Sequence, residues 1–518
     1  MIVIGLATLC VGGCVGSRVP SEEGGAAFSR EMAEKTIATG FARIGEMALE
    51  PIAARRLALE GLKGLSGLDP ELAIAAVDGE VTLAVEGYEG LRFPAPADTD
   101  AGKWASLVVE VGVAARHRSE EIRAADTERF LETVLDAALA PLDDPYSRYA
   151  GAEEAKKNRA RRDGFGGLGL LFRILEGEVR VSQIVPHTPA ARADIRIGDR
   201  LTHVGEVPLR GLDEKTVTDQ LHGPVGSRIK LRLLREGEPE PRELSLARAH
   251  VVLPTVTAQA HSGIALLAVG GFNQDTAESI LRELEALKRL TGGRLRGIIL
   301  DLRGNPGGLL SEAVAVADLF LAQGEIVSTR GRHRDSHQHY EATEDDRLQG
   351  LPLVLLVDGK TASAAEVLAA ALQDRGRAVV AGTTTFGKGS VQTVLRLPND
   401  GEITLTWSRL VAPSGYVLHH LGVLPSICLS GSGSDAAAAL VRALKSGEIP
   451  PTQAAWREVG IGDEARRKGL RHVCAPEERH TLADREVALR LVADRNLYTQ
   501  ALALGDRPVL ARGGLSAR

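Results

Sequence analysis

An α/β core flanked by helical regions is the fold class that the sequence predicts, and two observations predict it. Within 253–427 short apolar runs (Ile264–Val269, 295–302, Leu353–Val357, 378–381 and 403–407) alternate with helix-like stretches at 276–291, 310–322 and Ala364–Asp374. Before and after this block the chain is rich in Ala, Leu, Glu and Arg at helical spacing. Segments such as 46–62 and Thr127–Leu139 predict a helical N-terminal region over 27–150, and 428–518 predicts a helical C-terminal one. At 518 residues the chain exceeds one ordinary core and implies roughly two to four domains.

Composition narrows the function classes. A net charge of −6 and 3% aromatic residues give neither the basic footprint nor the stacking platforms of a nucleic-acid binder. The first 16 residues, MIVIGLATLCVGGCVG, are apolar throughout, too short to span a bilayer and suited to a secretory leader. Val11-Gly-Gly-Cys14 is similar to a bacterial lipobox, which makes Cys14 the candidate lipidated residue, although no Lys or Arg precedes the apolar run. Simple cleavage is the alternative, and residues 17–26 read as a tether in either case. Export makes the two remaining cysteines, Cys428 and Cys474, a candidate disulfide.

The chemistry centres on Ser363 and Lys388. Ser363 with Glu366 fits the S-x-x-E capping box of a helix start, which alone explains the serine. Gly382-x-x-x-x-Gly387-Lys388 approaches a phosphate-cradling loop, but Gly389 stands where Ser or Thr must hold magnesium, and SVQTVLRL alternates like a strand. As a pair the two residues do more. A serine hydroxyl attacks only when a base takes its proton, and a desolvated lysine can be that base. A serine at a helix start also lies beside unpaired N–H groups that suit an oxyanion.

The segments TASAAE, ALQDRGRA, TFGKGSVQ and, upstream, DLRGNPGG resemble the carboxyl-terminal processing peptidases, serine endopeptidases with a Ser–Lys dyad; the similarity runs over 144–427. The resemblance implies a crotonase- and Clp-protease-like core at 253–427, with Ser363 as nucleophile, Lys388 as general base and Gln392 as the residue that orients it. It implies an oxyanion hole made by Gly307 or Gly308 together with Ala364, and leaves the two glycines undecided. LDDPYSRY, ending at Tyr149, is similar to the segment that closes the family's N-terminal region, and its tyrosines read as packing residues.

Residues 164–250 resemble a PDZ domain. Gly166, Gly167, Leu168, Gly169 and Leu170 match its carboxylate-binding loop, and Asp194 replaces the usual glycine of a later turn. A PDZ domain ahead of a Ser–Lys core implies protein substrates recognised by apolar C-terminal tails, with or without an adaptor protein. No metal or other cofactor is implied, and no nucleic acid. The rival reading is a PDZ adaptor on a degenerate protease fold, which binds tails without cutting. His333, His337 and His339 occupy a polar loop without metal-ligand spacing. The basic run KKNRARR at 156–162 reads as a solvated linker or helix face. For 428–518 the sequence yields helices and no function.

Overall fold

The computed structural model describes residues 28–343, 348, 350–479 and 481–505, and the leader, Cys14 and the tether lie outside them. The chain divides into two compact units. One holds 28–42, 52–143 and 397–399; the other holds 43–51, 144–396 and everything described from 400 onward.

In the first unit, helices Ala54–Gly64 and Thr127–Leu139 pack so closely that a Cβ on Gly64 would sit 2.6 Å from the Ala137 Cβ. The expectation of a helical region throughout 27–150 is corrected here. Leu72–Val77, Glu80–Val85 and Leu91–Pro94 form a three-stranded antiparallel sheet. Its first turn is Asp78-Gly79, both at positive φ (52° and 80°), the two-residue geometry that joins twisted antiparallel strands. The helix expected over 46–62 is likewise split, into Arg30–Met47 and Ala54–Gly64, because Pro51 falls between them.

The second unit is built on a six-stranded sheet. Its order is Val256–His261, Ile264–Val269, Gly297–Asp301, Leu353–Val357, Val379–Gly382 and Ile427–Cys428; the first pairing is antiparallel and the rest are parallel. A parallel sheet must be covered on both faces, so its strands read as unbroken apolar runs. All five residues of Leu353–Val357 are buried. Leu267, Leu300, Leu355 and Val380 face helices Thr276–Leu290, Leu310–Asp318 and Ala364–Asp374, whose inner faces supply Ile280, Val316 and Leu368. The alternate residues Ile264, Ile299, Val354, Leu356 and Val379 pack on Leu440, Val487 and Leu491, from helices Ala436–Lys445 and Leu482–Ala493. The C-terminal region is therefore the second cover of the six-stranded sheet.

A second sheet runs Gln338–Glu341, Glu325–Gly331, Glu402–Val411, Ser390–Arg396, with Arg148–Ala150 added to Glu402–Val411. The run KKNRARR lies on helix Ala152–Asp163 and is more than a solvated face. Arg159 and Arg162 both pair with Glu402, which is 1% exposed, while Lys156 pairs with Asp219. The three loop histidines are engaged separately: His337 contacts the Gly331 carbonyl and His339 lies between Glu325 and Glu341. His333 approaches Glu46 and Asp335.

The PDZ-like part orders its strands Arg242–Ala247, Arg228–Leu234, Arg200–Val204, Glu178–Ile184, Leu170–Leu175, around Leu168, Val181, Leu201, Val217 and Leu231. Leu170–Leu175 ends that path and, among the described residues, pairs on one side only. No helix among the described residues is long and apolar enough to cross a membrane.

Cys428 and Cys474 form a disulfide with their Cα atoms 5.9 Å apart and 46 positions of chain between them. On the loop-entropy account this cross-link contributes about 4 kcal/mol. The double variant Cys428→Ala/Cys474→Ala should accordingly lose about that much in denaturant unfolding; an unchanged midpoint would show that the C-terminal region is held without it.

Candidate active site

Helix Ala364–Asp374 starts where Leu353–Val357 has left the sheet, and Ser363 is its N-cap. The serine sits at φ 56° and ψ −120°, a conformation that non-glycine residues seldom adopt and that costs on the order of 1–3 kcal/mol. The surroundings hold it there. The Ala362 N–H donates to the Asn305 carbonyl (2.9 Å), and the Ser363 N–H donates to Glu366 Oε2 (2.7 Å), completing the predicted capping box.

Glu366 does more than cap. It is fully buried, and its two oxygens also accept from Thr385 Oγ1 (2.5 Å), the Gly387 N–H (2.7 Å) and the Lys388 N–H (2.9 Å). One carboxylate thus fastens the serine's backbone to the loop that presents the lysine. Burial pushes its pKa up, and the four donors oppose that shift. From the sequence Glu366 is legible only as a capping residue; its full burial beside the glycine loop is a long-range feature.

Lys388 is half-buried, and burial holds its amine below the ordinary lysine range. Asp144 nearby works against that lowering and Arg148 adds to it. The Nζ lies 4.3 Å from the centre of the Tyr146 ring and makes no hydrogen bond among the described residues. Tyr146, legible in the sequence only as a packing residue, is therefore the surface on which the amine rests. Asp144 accepts from the Ser147 hydroxyl (2.6 Å), which in turn accepts from the Thr406 N–H (3.0 Å), so this turn is tied to the second sheet.

Gln392, on strand Ser390–Arg396, turns its Nε2 to Ser390 Oγ (2.9 Å) and Thr406 Oγ1 (3.0 Å). It does not hydrogen-bond Lys388 in this structure. Its Oε1 accepts no hydrogen bond among the described residues.

The turn after strand Gly297–Asp301 separates the two candidate glycines. The Gly307 N–H is occupied, donating to Asn305 Oδ1 (2.8 Å). A Cβ on Gly307 would lie 2.8 Å from the Ser363 Cβ and 3.0 Å from the Ala364 nitrogen, so the turn touches the serine's own backbone. The Gly308 and Ala364 N–H groups donate to nothing among the described residues. Gly308 is at φ 145°, and a Cβ there would meet the Phe272 carbonyl oxygen at 2.1 Å, which restricts the position to glycine.

In the PDZ-like part, Leu168 and Leu170 are buried, and Gly169 is at φ 77° with no room for a Cβ beside Thr188. The Leu168 and Gly169 N–H groups have no acceptor among the described residues. Two successive free donors beside a half-paired strand form the kind of nest that holds a chain terminus. Gly166 and Gly167 belong instead to strand Phe165–Gly167, paired with Ala249–Val251.

Glu366→Gln tests the carboxylate's dual hold. An amide would turn an NH2 against donors, forfeiting charge-assisted bonds that contribute about 1.5–3 kcal/mol each. The variant should unfold several degrees earlier and, in its folded fraction, turn over at least tenfold more slowly; wild-type turnover would mean that the carboxylate charge is dispensable.

Comparison with known proteins follows the same lines. A model of peptidase family S41 matches residues 263–429 and one of the PDZ domain matches 166–246. The chain is 34% identical over 314 residues to a carboxy-terminal-processing protease of Bartonella bacilliformis, spanning 60% of this chain and 72% of that one. It is 28% identical over 358 residues to the carboxy-terminal processing protease CtpA of Bacillus subtilis, spanning 69% and 75%. Among solved structures, the photosystem II D1 C-terminal processing protease is 30% identical over 57% of this chain and 80% of its own, at a TM-score of 0.33. With its parallel catalytic sheet and its PDZ domain, the chain belongs to peptidase family S41, among the carboxy-terminal processing serine proteases.

Proposed function

We propose that this protein is an exported endopeptidase that binds the apolar C-terminal tails of envelope proteins in its PDZ domain and cuts near them, with Ser363 and Lys388 as its dyad. The observation that carries the assignment is the buried Glu366 carboxylate, which accepts from the backbone of both residues and so fixes one relative to the other. The apolar leader and the Cys428–Cys474 disulfide support export, and Cys14 supports a lipid anchor. The edge of Leu170–Leu175, unpaired among the described residues, in a domain whose core includes Leu168, Val217 and Leu221, supports recognition of a chain terminus by strand addition.

The reaction follows from the groups present. Neutral Lys388 takes the proton of the Ser363 hydroxyl as Oγ bonds to the scissile carbonyl carbon. The oxyanion accepts from the Gly308 and Ala364 N–H groups, both without other partners among the described residues. The C–N bond then breaks, the amine leaves with the proton from the lysine, and water attacks the acyl-enzyme with Lys388 again as base. Gln392 orients the ammonium through its open Oε1.

Because only the neutral amine can act, kcat/KM should rise with pH, and burial puts the midpoint of that rise below the usual lysine value of 10.5. A profile flat from about pH 6 to 10 would remove Lys388 as the base. Cleavage of an unfolded reporter with an apolar C-terminal tail should fall roughly 1,000-fold or more in Ser363→Ala and in Lys388→Ala, with tail binding retained. A wild type that binds the tail and never cuts would favour the adaptor.

A further inference from the structure

The loop that presents Lys388 is held from two sides, and only one of them belongs to the part of the chain that matches the family. Glu366 takes the N–H groups of Gly387 and Lys388. The carbonyls point the other way, and a guanidinium from the C-terminal region meets them. Arg471 Nη2 donates to the carbonyls of Thr385 (2.9 Å) and Phe386 (3.3 Å), and its Nη1 donates to that of Leu421.

The fit is close. Gly387 and Gly422 are both at positive φ, 92° and 78°, and a Cβ on either would lie 3.2 or 3.1 Å from Arg471 Nη1. Two glycines thus make room for one planar cation. Arg467, one turn earlier on helix Glu464–Arg471, donates to the carbonyls of Val417 and His419, and the His420 N–H donates to the Gly387 carbonyl at 2.8 Å. The disulfide follows at Cys474, whose sulfur lies 3.8 Å from the carbonyl oxygen of Gly382, where the strand enters this loop. Residue 471 lies beyond the family match, which ends at 429.

We propose that Arg471 is a positioning residue for Lys388: by gathering carbonyls at 385, 386 and 421 it fixes the glycine loop whose amides Glu366 holds, and so sets where the amine stands relative to Ser363. The proposal rests on the reading of Lys388 as base. Arg fits this task where Lys does not, because a planar fork with five donors can serve three carbonyls at once.

The test uses the full chain with Arg471→Met and Arg471→Lys, the tailed reporter as substrate, and Lys388→Ala alongside. Arg471→Met should lower kcat roughly 100-fold, the scale of a small misplacement, while KM and tail binding stay within about twofold. Because a loosened loop admits water to the amine, the acid limb of kcat/KM should move to higher pH. Added methylguanidinium should restore part of the rate, and Arg471→Lys should fall between Met and wild type.

A folded Arg471→Met with wild-type kcat and an unmoved limb would overturn the proposal. So would a loss that tracks the folded fraction in both variants, with no limb shift and no rescue. A fully active Lys388→Ala would overturn the reading of the base, and this proposal with it; an inactive Lys388→Ala beside an unaffected Arg471→Met would overturn the proposal alone.

Discussion

A carboxylate removed from water has to be satisfied by the chain, and in this protein that requirement joins the start of the Ser363 helix to the loop that carries Lys388. Glu366 draws N–H donors from Ser363, Gly387 and Lys388 and a hydroxyl from Thr385, leaving neither oxygen unsolvated. The demand is local in energy and long-range in effect, because a helix start and a strand entry must approach one another to meet it. The left-handed backbone of Ser363 and the glycines around Lys388 are conformational costs that this arrangement offsets.

The second constraint is the parallel sheet, which cannot leave a face wet. Helices between the strands cover one side, as the alternation of strand and helix requires. The other side is covered by the region after Cys428. Polar groups follow the same route: Asp484 pairs with Arg479 and with Arg303, and Arg303 pairs with Asp301 at the head of the turn that carries Gly307 and Gly308. Asp358 accepts from the Arg479 and Gly304 N–H groups. The region after Cys428 is thus in contact with the turn that carries Gly307 and Gly308 and with the one that leads from Leu353–Val357 to Ser363.

Much of this was legible in the sequence where the signal is local. The helix Ala364–Asp374 and the strands Ile264–Val269 and Leu353–Val357 have the bounds that capping and apolar runs predict, because their neighbours in sequence decide them. What was missed depends on distant partners. Nothing near Tyr146 says that a lysine will lie on its ring, and helical spacing in 428–518 shows an apolar stripe without saying what it covers. The fully apolar strands did contain that information: Leu353–Val357 has no polar alternate, so a second cover had to come from elsewhere in the chain. The hairpin at Asp78-Gly79 was a local signal, outweighed by the Ala- and Leu-rich residues around it.

That second cover also fixes when the site can exist. Ile299, Val354, Leu356 and Val379 pack with helices that begin at Ala436, Leu482 and Arg495, and the bond from Arg303 to Asp484 spans 181 residues. Contacts of such separation close late, since the loops between them must first be drawn in. A chain still emerging, or one cut short after the glycine loop, carries both Ser363 and Lys388 on a sheet with one bare face. The apolar strand face stays bare until the helices that begin at Ala436 and Leu482 have been made, and exposed apolar surface of that kind is what favours aggregation of an incomplete chain.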